Sequence, residues 1–588
     1  MSQAESAYRL PLDDIHFIVH QWLEAPSQWR RMPDFSTVDA ETADLVIGEI
    51  GRFCSDVLAP TNSVGDLQGC TWSDGKVRTP AGFREAYAAF VEAGWPALAC
   101  DTAAGGQGLP QLLDAVLNEA IVSANHAWSM YPGLSHGAYA CLHAHADEAL
   151  KCLYLPSVVS GQWLASMCLT EPQAGSDLGL LRTRAEPAGD GSYRLSGNKI
   201  FISGGEHDLT DNIVHLVLAR LPDAPAGTRG LSLFLAPKRI PAGDGFRDNA
   251  IHCDGIERKM GIKGSATCAM RLDAAEAWLV GQPNRGLAAM FVMMNSARLH
   301  VGLQGLGHAE SAYQLALTYA GERRQMRAAN RPAGETAAAD LIVLHPPVRR
   351  TLLNLRVWTE GMRAIGYWAG HLIDLAEHAP DPAEREAADA LASVLTPVIK
   401  AFFTERGFQL ASDALQVFGG YGYIHEYRIE QVLRDARIAM IYEGTNEIQA
   451  IDLLQRKILG KGGQLPALLA VIQAEAAICR AQPACRTYGD ALSALCATVE
   501  ETTRTIGERS AVDVEYPLRC ADDYLRLIGH LLLAYAWART ARLCSGRDGD
   551  FHARKVESAR HFYTTVQIET DACVGRIRVA QDPLPAVH

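Results

Sequence analysis

The 588-residue sequence has little that would predict a membrane protein or an exported one. Its most apolar stretch, residues 531–537, is far shorter than the ~18 residues that a membrane-spanning helix needs. The N-terminal residues, MSQAESAYRLPLDDIHF, contain no positively charged segment followed by an apolar core, so they predict no signal peptide. The 14 cysteines include no CxxC pair, which is typical of a reduced protein with buried thiols. We therefore expect a cytoplasmic protein without a membrane span.

An excess of positive charge is also absent. The chain has 54 Lys and Arg against 67 Asp and Glu, which gives a formal net charge of −13. This balance argues against binding of nucleic acid and against anchoring to anionic lipid through bulk charge. Hydrophobic residues make up 48% and charged residues 21%, as in a globular enzyme. The length is too great for one hydrophobic core, so several domains are expected.

Common nucleotide, hydrolase and metal motifs are missing as well. The segments GLQGLG at 302–307 and GGYG at 419–422 do not follow a strand, so neither predicts a Rossmann dinucleotide site. No Ser-His-Asp, HExxH or P-loop pattern is present. His143 and His145 are two residues apart on a predicted helix and point in different directions, so we favour packing or surface roles for them. No metal site is predicted.

The apolar periodicity changes twice along the chain. Residues 1–160 have mostly helical spacing, and residues 161–280 carry alternating or continuously apolar β-branched runs between glycine turns. Helical spacing returns over 281–460. The last segment, 461–588, begins with the linker KGGQLP and then has helical spacing again. The sequence therefore predicts a mainly α protein with a central β-domain, in four segments with these bounds.

Two loops could carry chemistry. The segment MCLTEPQAGSDLG at 167–179 offers hydroxyls and backbone N–H groups for a planar polar ligand or a phosphate, although an ordinary turn is the better interpretation from composition alone. In IYEGTNEIQ, Glu443 precedes a helix for which Thr445 or Asn446 is available as N-cap. The helix dipole favours the ionised carboxylate and apolar neighbours disfavour it, a balance that suits a base near neutral pH. The alternative is a solvated loop acid.

Five segments in one order carry a resemblance to a known family: CLTEPQAGSD, NKIFISGG, KMGIKGSAT, QVFGGYGY and IYEGTNEIQ. Over roughly residues 40–460 the chain resembles the acyl-CoA dehydrogenase family of flavoproteins. Its N-terminal extension, its added C-terminal helices and the segments MYPGLSHGAY, LLRTRAEP and GEHDLTDNIVHLVLARLPDAP are similar to the large 3-(methylthio)propanoyl-CoA dehydrogenase branch. The resemblance implies a helical domain, a β-barrel or sandwich, a helical bundle and an extra C-terminal helical module.

The implied activity is FAD-dependent α,β-dehydrogenation of an acyl-CoA to a trans-2-enoyl-CoA, a step of fatty acid β-oxidation and lipid metabolism. By resemblance, Glu443 removes the α-proton while the β-hydrogen leaves as hydride to flavin N5. The backbone N–H of Glu443 and a flavin ribityl hydroxyl would hold the thioester oxygen, on which negative charge develops.

The family's binding residues are carried over by motif. The implied FAD contacts are Met167, Leu169, Thr170, Ser176, Phe201, Ile202, Ser203, Arg323, Gln325, Gln416, Val417, Phe418, Gly419, Gly420, Thr445, Asn446 and Glu447. Of these, Arg323 and residues 416–420 would reach the FAD of a neighbouring subunit. The implied acyl-CoA contacts are Ser176, Asn295, Arg298, Tyr442 and Gly444.

The sequence departs from the family pattern at several of these positions. Many relatives have Trp and Thr where this chain has Phe201 and Ser203, and Met326 and Arg327 replace a frequent Phe-Gly. By analogy the segment ANHAWSMYPGLSHGAY borders the acyl pocket, with Trp128, Met130 and Tyr131 as candidates to limit its depth. Details of flavin packing, of the inter-subunit contact and of the acyl pocket are therefore open.

The resemblance implies an electron-transferring flavoprotein as the electron acceptor and, with the added module in place of one dimer–dimer contact, a homodimer. An acyl-CoA oxidase that uses O₂ is an alternative that the motifs do not exclude. A flavin-bearing damage-response protein that contacts DNA is an alternative of another class. Residues 461–588 hold fifteen Lys and Arg against fifteen Asp and Glu, so they offer no electrostatic footprint for nucleic acid. The acyl chain, the electron acceptor and the role of residues 461–588 cannot be inferred from sequence.

Overall fold

A computed structural model describes residues 8–243, 245–331, 333–460, 463–580, 582 and 585, and of Asn295 and Ser296 it describes the backbone only. The chain divides into two compact units. One comprises Met1–Ile50, Pro110–Glu119 and Val301–His588, and the other comprises Gly51–Leu109 and Ala120–His300. The division into four segments stays a prediction.

Helices occupy most of residues 12–159, as the apolar spacing predicts. In helix 40–52, Ala43, Ile47 and Ile50 are buried, because residues three and four apart share one face. The elements are α1 (Leu12–His16), α2 (Ala25–Trp29), α3 (Ala40–Arg52), α4 (Thr61–Gln68), the hairpin β1 (Thr71–Ser73) and β2 (Lys76–Arg78), α5 (Phe83–Glu92), α6 (Gln111–Ser129), α7 (Gly133–His145) and α8 (Glu148–Val159).

The predicted central β-domain is a closed ring of strands. Strand β11 pairs with β5 and β7, β5 pairs with β4, and β6 closes the ring by pairing with both β4 and β7. Strand β7 is buried along its whole length, because both of its faces are covered. The strands are β3 (Leu164–Cys168), β4 (Arg184–Pro187), β5 (Tyr193–Ser203), β6 (Ile213–Arg220), β7 (Leu231–Pro237), β8 (Arg239–Ala242), β9 (Gly245–Asp248), β10 (Ile251–Ile256) and β11 (Thr267–Val280). The barrel expectation is confirmed.

Helices return after the strands and continue into the C-terminal module. They are α9 (Gly286–Glu322), α10 (Pro346–His378), α11 (Pro382–Val398), α12 (Thr404–Phe418), α13 (Ile429–Ala436), α14 (Asn446–Ile451), α15 (Leu465–Ala481), α16 (Arg486–Ser510), α17 (Tyr516–Cys544), α18 (Asp550–His561) and α19 (Ile568–Val579). A π-helical turn, Ile399–Phe403, joins α11 to α12. The mainly α fold with extra C-terminal helices is confirmed.

The GLQGLG segment is a helix-packing motif on α9. A Cβ atom on Gly302 would lie 2.3 Å from Ile399 Cγ2, and one on Gly305 would lie 2.3 Å from the Phe403 carbonyl oxygen. Only glycine permits two backbones to approach this closely. The segment therefore seats the π-helical turn against α9, which agrees with its rejection as a nucleotide motif.

Among the described residues one helical run, Pro382–Tyr423, has a length and a mean hydropathy (1.3) compatible with crossing a membrane. Of its apolar window, 67% is buried inside the protein. Such burial is that of a core helix in a folded domain.

A buried network of charges joins α1, α6, α9, α10 and α18. The Arg363 guanidinium donates to the carboxylate of Glu119 at 2.7 Å and also pairs with Glu310 and Asp14. The Lys555 ammonium, from the C-terminal module, pairs with Asp14 and lies 2.9 Å from Glu360. Burial alone would raise the pKa of Asp14, but the charges of Lys555 and Arg363 lower it, so the carboxylate stays ionised. The network ties the N-terminal extension to the bundle and to the module.

We predict that Lys555→Met destabilises the protein by about 3–5 kcal/mol, because it leaves the buried Asp14 and the half-buried Glu360 without their shared cation. The thermal unfolding midpoint measures the effect. Lys151→Met is the matched control, since it removes a lysine from an exposed pair with Glu148, a type of pair that contributes about 0–1 kcal/mol. Equal midpoints for the two variants would contradict this role for the network.

Candidate active site

Glu443 lies on a sharply bent loop immediately before α14. Its φ is +57° and that of Gly444 is +85°, so two consecutive residues have left-handed backbone. For a residue with a side chain this conformation costs on the order of 1–3 kcal/mol and is concentrated at functional sites. Gln449 Nε2 donates to the carbonyl oxygen of Glu443 at 3.1 Å and stabilises the bend. The loop therefore presents a half-buried carboxylate in a fixed backbone geometry.

The predicted cap is only partly present. Thr445 occupies the N-cap position of α14, but its side chain makes no capping hydrogen bond to the helix. A hydrogen bond from Thr445 lowers the pKa of Glu447 instead. Asn446 is the first residue of the helix, and its side chain bonds to the π-helical turn: Nδ2 donates to the carbonyl oxygen of Ala401 at 3.0 Å.

Lys400 binds the loop through hydrogen bonds to the residues that follow Glu443. The motifs in the sequence did not point to this residue. The side chain is fully buried, and Nζ donates to the Gly444 carbonyl oxygen at 2.6 Å and to Asn446 Oδ1 at 3.0 Å. The Thr404 hydroxyl donates to the same Asn446 oxygen at 3.3 Å. The available signal was a lone charge inside the apolar run VIKAFF, since lysine is almost never fully buried unless it is paired.

Tyr442, predicted to contact substrate, is anchored to α9. Its hydroxyl donates to Gln304 Oε1. Burial and the neighbouring charge of Glu443 raise the pKa of the Tyr442 phenol above its usual value, so it keeps its proton at neutral pH. The phenol thus fixes the loop on the side preceding Glu443.

The strand ends predicted to face flavin lie side by side in the barrel unit. The backbone N–H of Ile200 donates to the carbonyl oxygen of Thr170 at 2.9 Å, which brings the end of β3 next to β5. Phe201 has φ +59° and is 60% exposed, so a flat aromatic face is presented outward on strained backbone. Ser176 is exposed, Met167, Thr170 and Ser203 are half-buried, and Leu169 and Ile202 are buried.

A buried ion pair between Lys199 and Glu171 lies beneath these strand ends. The sequence motifs did not predict it. Lys199 Nζ donates to the Leu169 carbonyl oxygen at 3.0 Å and to Glu171 Oε1 at 2.9 Å. Glu171 also accepts from the backbone N–H groups of Arg182 and Thr183 at 2.7 and 3.0 Å. Burial alone would raise the pKa of Glu171, but Lys199 and these hydrogen bonds lower it to about 2.

The residues expected to reach a neighbouring subunit come together at the ends of α9 and α12. The Arg323 guanidinium lies 5.2 Å from the centre of the Tyr421 ring, and Phe418 is buried in a stack with Tyr319 at 4.3 Å. A Cβ atom on Gly419 or Gly420 would meet nothing within 4 Å. Gln325 and Gln416 are exposed and Val417 is half-buried, so the surface is open except at Phe418.

The remaining predicted substrate contacts are described only in part. Arg298 is 8% exposed and lies 5.9 Å from the centre of the Phe291 ring. Asn295 lies on α9, and its side chain falls outside the described part of the structure. Met326, at the departure from the family pattern, has φ +58° and is 78% exposed.

All three candidate acyl-pocket residues, Trp128, Met130 and Tyr131, are buried in the core of the fold. Trp128 Nε1 donates to the Phe83 carbonyl oxygen at 3.2 Å, and the Tyr131 hydroxyl donates to the Gly264 carbonyl oxygen at 3.0 Å. Both side chains are buried, and their polar groups make hydrogen bonds to backbone carbonyl oxygens of the core. They therefore give no measure of pocket depth.

Four family models match the chain. The models described as acyl-CoA dehydrogenase N-terminal, middle and C-terminal domains match residues 41–162, 166–275 and 284–458. A model described as acetyl-CoA dehydrogenase C-terminal like matches residues 468–587.

Relatives and solved structures agree with these matches. The 3-methylmercaptopropionyl-CoA dehydrogenase of Ruegeria pomeroyi is 40% identical over 98% of this chain and 99% of its own. A butyryl-CoA dehydrogenase of Syntrophomonas wolfei is 36% identical over 78% and 77%. Caenorhabditis elegans ACDH-11 in complex with C11-CoA has a TM-score of 0.76 at 20% identity, covering 95% of this chain and 91% of its own. An acyl-CoA dehydrogenase from Bacillus anthracis complexed with FAD has a TM-score of 0.74 at 20% identity, covering 94% and 90%. These structures establish the likeness of fold.

We predict that Glu171→Gln lowers the thermal midpoint at pH 6 and that the difference from wild type shrinks toward pH 2. The folded pKa of Glu171, about 2, lies below its ordinary value of 4.5, so its stabilisation is complete above pH ~4.5 and is lost as pH falls through about 2. Thermal midpoints measured from pH 6 to pH 2 check this. Glu186→Gln, at an exposed acid on β4, is the control and should show no such convergence. A constant difference across the range would be the opposing result.

Proposed function

The chain belongs to the acyl-CoA dehydrogenase family of enzymes, and we propose that Glu443 is the base that removes the α-proton of its acyl-CoA substrate. The product is then a trans-2-enoyl-CoA, as in fatty acid β-oxidation. The observation that carries the proposal is the placement of a half-buried carboxylate on two successive left-handed residues, anchored by Gln449, Tyr442 and Lys400. A strained loop with so many anchors is typical of a functional constraint.

FAD is the cofactor of this family, and the residues of this chain fit it. Phe201 offers an exposed aromatic face, the half-buried hydroxyls of Thr170 and Ser203 are polar partners for a ring edge, and Gly419 and Gly420 leave room for close approach. When bound, FAD supplies the hydride acceptor for the β-hydrogen. We assign the cofactor contacts to Met167, Leu169, Thr170, Ser176, Phe201, Ile202, Ser203, Arg323, Gln325, Gln416, Val417, Phe418, Gly419, Gly420, Thr445, Asn446 and Glu447.

The chain's own contribution to the reaction centres on one residue. The Glu443 carboxylate accepts the α-proton, and its backbone N–H donates to the thioester oxygen as negative charge develops there. Because one residue supplies both groups, the backbone bend at Glu443 sets their relative positions. We assign the acyl-CoA contacts to Tyr442 and Gly444 beside the base and to Ser176, Asn295 and Arg298.

The acceptor, assembly and location complete the proposal. We propose that the enzyme passes electrons to an electron-transferring flavoprotein, works as a homodimer and resides in the cytoplasm. The open surface around Arg323, Gly419 and Gly420 supports contact with a second copy. Binding to DNA is disfavoured, because residues 461–588 carry no net charge. The anchored carboxylate of Glu443 also favours a catalytic role over a binding role. The relative from Ruegeria pomeroyi is named for a thioether acyl-CoA, so a thioether acyl chain belongs in the first substrate panel.

Glu443→Gln should lower turnover by about 10²–10⁴-fold, because the amide cannot accept the α-proton while its shape is nearly unchanged. The measurement is anaerobic bleaching of the FAD absorbance by acyl-CoAs that range from short to long and include thioether and aryl chains. Glu426→Gln, at an exposed loop acid, is the control and should bleach at the wild-type rate. Undiminished bleaching by Glu443→Gln would remove the proposed base.

The electron acceptor is decided by reoxidation. After anaerobic reduction by substrate, the dehydrogenase assignment predicts slow return of FAD absorbance in air and fast return with an electron-transferring flavoprotein. Rapid reoxidation in air with formation of peroxide would make the enzyme an oxidase. Sedimentation of the same sample should give the mass of two chains, and the mass of four would remove the dimer.

A further inference from the structure

The turn behind the catalytic loop contains a buried cation to which the family comparison assigns no role. We propose that Lys400 is a positioning residue for the reaction: its ammonium fixes the bend at Glu443 and favours the ionised carboxylate. The proposal rests on the proposed role of Glu443 as base.

Lys400 contacts the chain immediately after the proposed base. Its Nζ donates to the carbonyl oxygen of Gly444, the residue directly after the base, at 2.6 Å. It donates at 3.0 Å to Oδ1 of Asn446, whose Nδ2 in turn donates to the carbonyl oxygen of Ala401. The turn therefore donates to the residues after the base through Lys400, and Asn446 donates back to the turn. If the ammonium is removed, the Gly444 carbonyl oxygen loses a charge-assisted hydrogen bond inside the protein, and rotation about the bend becomes easier.

The turn that carries Lys400 cannot easily shift, because three glycines allow neighbouring helices to press against it. Gly302 and Gly305 of α9 contact the backbone at Ile399 and Phe403. On the other side, a Cβ on Gly529 of α17 would lie 2.6 Å from the Phe402 ring. A π-helical turn inside a helical run is a frequent sign of a functional position. The added C-terminal module, through α17, therefore forms part of the support for Lys400.

The charge of Lys400 also acts on Glu447, in the first turn of α14. A hydrogen bond from Thr445 and, to a smaller extent, the charge of Lys400 lower the pKa of Glu447, four residues beyond the base. Other charged groups act nearby: Asp435 and Glu443 on the Tyr442 phenol, and Arg437 on Glu447. On α17, Asp522 is acted on by Glu447, Arg526, Asp523 and Glu405. Loss of the lysine charge would remove one cation from the surroundings of the loop, a change that favours the protonated form of a nearby carboxyl.

The test is Lys400→Met, which is similar in length and carries no charge. We expect kcat to fall by about 10²-fold through misplacement of the base, with KM for acyl-CoA nearly unchanged. The acid limb of the kcat profile should move to higher pH by about one unit, because an opposite charge no longer lowers the pKa of the carboxyl. Hydrogen exchange of the backbone amides at residues 442–449, followed by mass spectrometry, should become faster.

Lys457→Met is the matched control. This lysine lies in the same unit on the π-helical segment Asp452–Ile458, where it contacts Ser393, and its loss should leave the acid limb and the loop exchange unchanged. Lys400→Gln keeps a donor and removes the charge, so its acid limb decides the question if Lys400→Met does not fold. A wild-type acid limb and wild-type exchange in the Lys400 variants, together with an inactive Glu443→Gln, would overturn the inference alone. An active Glu443→Gln would overturn the proposed function beneath it.

Discussion

Burial of positive charge is the constraint on which the rest of the structure depends. Lys199, Lys400, Arg363 and Lys555 are all shielded from solvent, and each donates hydrogen bonds to oxygen atoms from distant parts of the chain. Lys199 joins the end of β3 to β5, and Lys400 joins the loop of the proposed base to the turn after α11. Arg363 and Lys555 join the N-terminal extension and the C-terminal module to the bundle. Because leaving such a group without its acceptors costs several kcal/mol, the segments that supply those acceptors are fixed relative to one another within each unit.

The sequence was sufficient for the fold class, and it singles out the loop of the proposed base. Changes of apolar period mark the barrel and the helices, and the resemblance of IYEGTNEIQ to a family motif singles out Glu443. Lys400 and the pair of Lys199 with Glu171 could not be found that way. Lys199 and Glu171 are 28 residues apart, and Lys400 and Asn446 are 46 residues apart, so only the folded chain brings them together. Likewise GLQGLG could be rejected as a nucleotide motif, but its partner in packing, the π-helical turn, was not visible.

The added C-terminal helices gain a physical role from these contacts. They do not carry a basic surface, and they bury Lys555 against acids of α1 and α10 while α17 packs on the turn that holds Lys400. The module therefore takes part in the rigidity of the unit that contains the proposed base. Strain at Glu443 can persist in such surroundings, because the packed elements around it determine the bend more strongly than the preference of its own backbone.

The central claim is that the Glu443 carboxylate removes the hydrogen next to the thioester carbonyl. The most direct measurement is exchange of that hydrogen with solvent, followed by mass spectrometry of an acyl-CoA incubated anaerobically with the FAD-loaded enzyme in D₂O. The account predicts deuterium at C2 with wild type and incorporation about 10²-fold slower or less with Glu443→Gln. Equal incorporation by the two proteins would contradict it.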